Sequence, residues 1–429
     1  MKLAGRVSAA IDVIAEITTR NRPASEALKD WGKAHRFAGS TDRHVVGTLV
    51  FDTLRRRNSA AALMGAETPR ALVLGALGVV WQIPVNEIAA LCEEQFGAGK
   101  LAAAETAALQ RGLPQDLPAF VAGDFPKWLE AELTSAFGPK LVPEMAALAT
   151  RAPVDLRVNT LKATHQAVAA ALAKFAAAPT RFAPTALRIP APGVEVRNVN
   201  VEAEPTHGLG QFEVQDEASQ IAAALTGARP GEAVLDLCAG AGGKSLALAA
   251  LMNNQGSIIA HDRDKHRLRP IFERIARAGA SCIEVVAADE AQKLARPKGY
   301  DLVVVDAPCT GSGTWRRKPD AKWRLGEKQL QVRLNEQAKV LEQAAPLVRP
   351  GGRLAYFTCS VLPCENAGQV KAFLKAHADY EIAPYAEQWR ATLPGEPPAS
   401  AAKEAGLLQL TPLDHGCDGF FVAILRRKG

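Results

Sequence analysis

The sequence predicts an α/β protein of three parts. A doubly wound, mostly parallel sheet fills the C-terminal half, preceded by a small mixed α/β module and an all-helical N-terminal part. Three observations carry this. First, five apolar, β-rich runs alternate with stretches mostly long enough for helices: AVLDLCA (233–239), SIIAHD (257–262), CIEVVAAD (282–289), DLVVVDAP (301–308) and RLAYFTCS (353–360). Strands apolar on both faces belong to a parallel sheet covered on both sides. Second, residues 1–110 place apolar side chains at helical spacing. Third, the text between changes at Pro/Gly-punctuated pieces, GLPQDLPAF, FGPKLVPEM and RAPVD. The expected boundaries are 1–114 for the helical domain, 115–210 for the small module and 211–429 for the sheet domain.

Taken in order, RVSAAIDVIAEITT puts Val7, Ala10, Ile11, Ile14 and Ile17 on one helix face. The next clear helix starts with Ser40 or Thr41 as N-cap and Asp42 in its first turn. It buries Val45, Val46, Leu49 and Leu54 and ends in Arg55, Arg56 and Arg57, where cations suit the negative pole of the dipole. In the middle module PKWLEAELTSAF and AVAAALAKF read as helices, VDLRVNT as a strand and TALRIPAPGVEV as further strands. FFVAILRR (420–427) reads as an added edge strand.

Composition narrows the classes. With 48% hydrophobic and 22% charged residues in 429, the chain is neither disordered, collagen-like nor coiled coil. The net charge is +6, and residues 1–70 hold 12 Lys/Arg against 7 Asp/Glu. A basic end suits an anionic partner, most commonly nucleic acid, although a solvated surface gives the same count. Seven cysteines without regular spacing indicate a reduced, cytoplasmic protein. Asp12 and Glu16 interrupt any signal-peptide pattern. The longest apolar run, 71–85, is too short to span a bilayer. A monomer without membrane segment or metal is therefore expected.

The first strand of the sheet domain leads into DLCAGAGGKS (236–245). Glycines there let backbone N–H groups approach a ligand at a helix start. A P-loop would need Gly at Cys238, and a dinucleotide fingerprint would need Gly or Ala at Ser245. The remaining reading is an adenosyl cofactor with one ribose, S-adenosylmethionine. The second strand ends in Asp262, placed for two ribose hydroxyls, and the third in Asp289, placed for the adenine edge. Acids at strand ends also cap helices or turns without touching a ligand.

DAPCTGSG (306–313) and FTCS (357–360) follow the fourth and fifth strands on the same edge. Each holds a cysteine, Cys309 and Cys359. Carbon 5 of a pyrimidine is a poor nucleophile until a thiolate adds to carbon 6, so two thiols at one edge suggest covalent catalysis. Buried packing cysteines are the plainer alternative. A Cys359–Cys364 metal pair has no supporting His or second close Cys pair.

DLCAGAGGK, DAPCTGSG with the trailing RRKPDAKW, and TCSVLPCEN resemble the Sun-type family of RNA cytosine-5 methyltransferases, over about residues 211–429. LRVNTLK (156–162) and FEVQDEASQ (212–220) are similar to that family too. The helical residues 1–110 resemble the NusB-like RNA-binding domain of the bacterial 16S ribosomal RNA methyltransferases of B type. The resemblance implies a Rossmann-like S-adenosylmethionine-dependent domain. It implies that Cys238, Ala239, Gly240, Ala241, Gly242, Gly243 and Lys244 hold the methionine moiety. Asp262 and Arg267 would bind ribose and Asp289 adenine. Asp306 would contact the cytosine near the cofactor, Cys359 would be the nucleophile, and Cys309 would assist product release. Two departures stand out. Gly240 and Ala241 replace the family's usual Ala-Pro, and Cys364 stands where an acid is usual.

Ribosomal RNA is the expected partner. TWRRKPDAKWRLGEK (314–328) offers Trp315, Arg316, Arg317, Lys318, Lys322 and Trp323 for phosphates and unpaired bases, with Arg55–Arg57 adding cations. Core packing is the plainer alternative for Trp315 and Trp323. Three rivals stand beside this reading: a transfer RNA cytosine-5 methyltransferase, a nucleobase amino methyltransferase, and a non-catalytic RNA-binding assembly factor that keeps the fold.

Overall fold

A computed structural model describes residues 1–193 and 199–429. The chain divides into two compact units. The strand expected over GVEV lies outside the described residues, apart from Gly193.

The first unit is helical and runs from Met1 to Arg151, beyond the expected boundary at 114, and it also takes in Trp315–Gly326 from the middle of the sheet domain's sequence. Its core is built by Leu3–Arg20, Ser40–Arg55, Arg57–Met64 and Pro69–Val79. Val7, Ala10, Ile14 and Ile17 are buried together with Val46, Leu49, Leu72 and Leu74. The second of these helices has Gly39, not Ser40 or Thr41, as N-cap; the Asp42 carboxylate accepts the Gly39 N–H at 3.1 Å. The helices Glu130–Phe137 and Leu141–Leu148 belong here as well.

The captured segment forms a short helix, Pro319–Arg324, started by proline at its first position. Trp323 packs against the helical core and its Nε1 donates to Leu54 O at 2.6 Å. The Arg55 guanidinium donates to Arg316 O at 3.0 Å. Lys322 donates from Nζ to Arg55 O at 2.9 Å and to Asp124 O. A twelve-residue stretch of polar sequence is thus folded into a helical core far from it in sequence, which periodicity alone does not show.

The second unit holds two sheets. The smaller is antiparallel, in the order β2-β3-β1-β4, from β1 (Val154–Val158), β2 (Ala178–Pro179), β3 (Ala186–Ile189) and β4 (Phe212–Val214). The larger contains β5 (Ala233–Asp236), β6 (Ser257–His261), β7 (Ile283–Val286), β8 (Tyr300–Asp306), β9 (Val348–Thr358), β10 (Tyr380–Ala383), β11 (Leu408–Leu410) and β12 (Phe420–Arg427). Its order is β10-β12-β9-β8-β5-β6-β7, with β11 paired to β12. The five strands from β9 to β7 along this order are parallel, and β12 runs antiparallel to both its neighbours.

Alternation explains the apolar runs. Leu302 and Val304 of β8 enter one core, Val303 and Val305 the other. In β12, Phe420, Val422 and Ile424 face one core while Phe421, Ala423 and Leu425 face the other. β12 is therefore an interior strand, not the edge strand expected from its terminal position. A strand apolar on both faces loses most by sitting where water reaches it. Among the described residues, no helix is long and apolar enough to cross a membrane.

Candidate active site

Parallel strands put all their C-terminal ends on one edge. The chain first builds outward through β5, β6 and β7, then returns to place β8 and β9 on the other side of β5. That reversal opens a crevice at the strand ends, where open α/β sheets bind ligands. A cavity of about 530 Å³ lies there, lined in part by Cys238, His261, Asp262, Arg263, Arg267 and Glu336.

The loop after β5 fits a nucleotide cofactor. Gly240 and Gly242 have φ of 50° and 84°, in the left-handed region glycine tolerates. A Cβ on Gly242 would lie 2.5 Å from Ile271 Cγ1, so only glycine lets this turn pack. The helix Gly243–Leu251 starts immediately after it. Arg274, paired with Glu213 at 2.9 Å, pins the turn by donating to Ala241 O at 2.7 Å.

The acids divide. Asp262 Oδ2 accepts the Gly240 N–H at 3.0 Å and Oδ1 the Asp264 N–H at 2.9 Å. Each oxygen keeps a lone pair, and the residue lines the cavity with Arg267, whose Nη1 is 3.6 Å from Oδ2. Asp236, by contrast, is fully buried, accepts the Ser245 hydroxyl at 2.7 Å and is absent from the lining. Burial pushes its carboxyl up to about 7. Asp289 lies in the 3-10 turn after β7 and is exposed; its neighbours Ala288 and Ala291 face the cavity instead. Glu336, from the helix Glu327–Ala344, supplies a lining carboxylate that the sequence reading did not pick out. Cys238 lines the cavity as well, its thiol pushed up by burial and by Asp236, Asp262 and Asp306.

Lys244 turns away from the cavity. Its Nζ lies 3.0 Å from Asp306 Oδ2 and 2.6 Å from Ser219 Oγ, above the Phe420 ring at 4.7 Å. Ser219 accepts from Gln215 Nε2 at 3.0 Å, and Gln215 Oε1 accepts from Arg157 Nη1 at 2.8 Å. Arg157 also donates to Gly243 O at 2.8 Å, and burial lowers its pKa to about 10. A polar chain thus runs from the small sheet through Arg157, Gln215, Ser219 and Lys244 to Asp306. LRVNTLK and FEVQDEASQ are the segments that supply it, although neither carried a residue assignment from sequence.

Cys309 and Cys359 come together, their Sγ atoms 3.4 Å apart and both half-buried. The hydrogen bond to Cys359 and burial, with the Glu365 charge adding to them, push the Cys309 thiol well above its ordinary range, so it keeps its proton. Glu365 is fully buried and ties the two cysteine loops together. Among the described residues, no group of three or more His, Cys, Asp or Glu is placed to hold a metal.

The residues expected to face RNA are placed differently. Trp315, Arg316 and Lys322 are buried and Trp323 is half-buried, all inside the helical unit, and this corrects their reading as an exposed RNA-binding stretch. Lys322 has its ammonium on two backbone carbonyls. Arg55 pairs with Asp52 at 2.9 Å, Arg56 with Asp124 at 3.3 Å and Arg57 with Glu67 at 3.4 Å. The arginine run sits at the bend between two helices and is anchored there. Lys318 is exposed and Arg317 half-exposed.

The strand order, with antiparallel β12 inserted between β9 and β10, and the glycine turn after β5 define a Rossmann-like methyltransferase fold. The 16S rRNA methyltransferase RsmB/F model matches residues 223–426, and the RsmF/B-like ferredoxin-like domain model matches 125–197. A probable ribosomal RNA small subunit methyltransferase B from Synechocystis is 33% identical over 71% of this chain and 67% of its own length. The Bacillus subtilis counterpart is 34% identical over 71% of this chain and 66% of its own. The crystal structure of PH0851 matches with a TM-score of 0.72 and 25% identity over 99% of both chains. The chain belongs to the 16S rRNA methyltransferase RsmB/F family.

Proposed function

We propose that this chain methylates carbon 5 of a cytosine in 16S ribosomal RNA, with S-adenosylmethionine as methyl donor and Cys359 as covalent nucleophile. The observation that carries the reading is the pair of thiols 3.4 Å apart at the ends of β8 and β9, on the same sheet edge as the glycine turn.

The Gly240–Gly243 turn, Cys238, Asp262 and Arg267 hold the cofactor, which supplies an electrophilic methyl group when bound. Cys359, as thiolate, forms a bond from sulfur to carbon 6 of the cytosine. The electron pair of the 5,6 double bond then becomes available at carbon 5, which takes the methyl group. A base removes the proton left on carbon 5, the double bond re-forms, and the bond from carbon 6 to sulfur breaks. Cys359 thereby leaves as the thiolate that attacked, and Cys309, its Sγ 3.4 Å away, assists this release. Lys244, held by Ser219, fixes Asp306 for contact with the cytosine. The target base must be unstacked to reach these thiols. Lys318 and Lys328 are exposed cations of 314–328 that can meet RNA phosphates.

Bisulfite sequencing of 16S ribosomal RNA and of transfer RNA, each incubated with the protein and S-adenosylmethionine, tests this. A single protected cytosine in 16S RNA is expected. Protection in transfer RNA alone, or label on an exocyclic amine, would replace the reading.

A further inference from the structure

The structure assigns Glu365 as the residue that positions the two thiols against each other, an inference that rests on the covalent reading above. Its carboxylate is fully buried, yet no cation pairs with it among the described residues. Instead four donors surround it. Oε1 accepts the Thr310 N–H at 2.8 Å and Gln337 Nε2 at 2.9 Å. Oε2 accepts the Thr310 hydroxyl at 2.5 Å and the Ser360 hydroxyl. An ionised carboxylate has about four lone-pair sites, so all are filled. A group with no acceptor capacity left cannot take a proton from substrate, and its work is geometric.

The residues it holds flank the thiols. Thr310 follows Cys309, and Ser360 follows Cys359. Gln337 also donates to Pro308 O at 3.0 Å, fixing the residue before Cys309. Asn366, next in sequence, accepts from the Thr358 hydroxyl at 2.5 Å and donates to Ser360 O at 3.0 Å, fixing both neighbours of Cys359. Tyr356 Oη donates to Glu365 O at 2.6 Å and anchors the pair beneath β9. Buried charged hydrogen bonds are strong and directional, so the loops cannot drift independently while Glu365 is present. Sub-ångström placement matters here, since a shift of about 1 Å at a reacting group can cost about 100-fold in rate.

Two measurements on the full-length protein test this. The first is the rate at which diamide closes a Cys309–Cys359 disulfide, read by peptide mass spectrometry. Closure takes the sulfurs from 3.4 Å to a bond of about 2.05 Å, so it reports their juxtaposition without any RNA chemistry. The second is kcat and KM for methylation of 16S RNA. Glu365→Ala is expected to slow disulfide closure at least tenfold and lower kcat about 100-fold, with KM for the cofactor unchanged. Glu365→Gln is expected to restore most of both, because the Thr310 and Ser360 hydroxyls can rotate to accept from the new amide. Thr310→Val, which deletes one donor and keeps the backbone N–H, should fall between them and serves if the alanine variant does not fold. Wild-type closure or wild-type kcat in Glu365→Ala would overturn the assignment. So would failure of Glu365→Gln to recover, which would mean that charge and not placement is what matters. If Cys359→Ala still methylates RNA, the covalent reading fails, while the disulfide rate still decides whether Glu365 holds the sulfurs.

Discussion

Replacing Lys322 by methionine separates a buried strut from an RNA contact. Burial lowers the Lys322 pKa from 10.5 to about 7, against a smaller opposing pull from Asp124. In the unfolded chain the amine titrates normally. Between pH 7 and 10.5 the unfolded state therefore binds a proton that the folded state has released, and stability rises with pH across that window. Below pH 7 both states are protonated and this group adds no slope. From pH 7 to 9 the gain is about 2 kcal/mol, integrating one proton's linkage from a folded pKa near 7. For a domain of about 150–250 residues that raises the melting midpoint by about 4–8 °C. Lys322→Met removes this rise. At any one pH the variant also leaves the Arg55 and Asp124 carbonyls without their donor, at about 1–3 kcal/mol each if no other partner reaches them. The slope is therefore the readout. Calorimetric melts of both proteins at pH 7, 8 and 9 should diverge as pH rises. Parallel curves, with RNA affinity and its salt slope reduced by about one phosphate contact, would show instead that Lys322 meets RNA.

The two strand-end acids should behave oppositely. Asp262→Ala should weaken S-adenosylmethionine binding about 10–100-fold by calorimetry, the loss of one charge-assisted hydrogen bond, whereas Asp236→Asn should change it less than about threefold because it keeps an acceptor for Ser245 and faces no ligand. Equal effects would mean the cavity is misassigned. Gly242→Val should abolish cofactor binding while leaving the sheet folded by circular dichroism, since its Cβ meets Ile271 at 2.5 Å; wild-type binding would refute the fit argument. Deleting residues 1–114 removes Leu54 and Arg55, which hold Trp323 and Lys322. The remaining chain should bind a hydrophobic dye and melt lower, and an unchanged melt would contradict the packing of 315–326.

Much of the sheet domain was legible because its physics is local. The five apolar runs became β5 to β9 and FFVAILRR became β12, since a strand buried on both faces must be apolar throughout. The interior position of β12 was not legible, because chain order does not specify spatial order. β10 was missed: YEIA is short, and only Tyr380 and Ala383 of its four residues are buried. At the site, Gly240, Gly242, Asp262, Cys309 and Cys359 were readable because their residue types carry chemistry at strand ends. Glu365 and Arg157 were not, because their roles lie in hydrogen bonds to residues 55 and 86 positions away. The charged stretch 315–326 misled for a related reason. Lys322 and Trp323 look like an RNA contact by composition, and only the three-dimensional structure shows the backbone carbonyls that satisfy them.

The central claim is that Cys359 attacks carbon 6 while Cys309 serves release. It is tested most directly by denaturing electrophoresis of Cys309→Ala after incubation with 16S RNA and S-adenosylmethionine. A protein–RNA band that survives denaturation is expected, because attack and methyl transfer proceed while elimination stalls. The band should vanish in the Cys309→Ala, Cys359→Ala double variant, and Cys359→Ala alone should be inactive. A band with Cys359→Ala and none with Cys309→Ala would reverse the roles. No band in any variant, together with full methylation by Cys359→Ala, would contradict covalent catalysis itself.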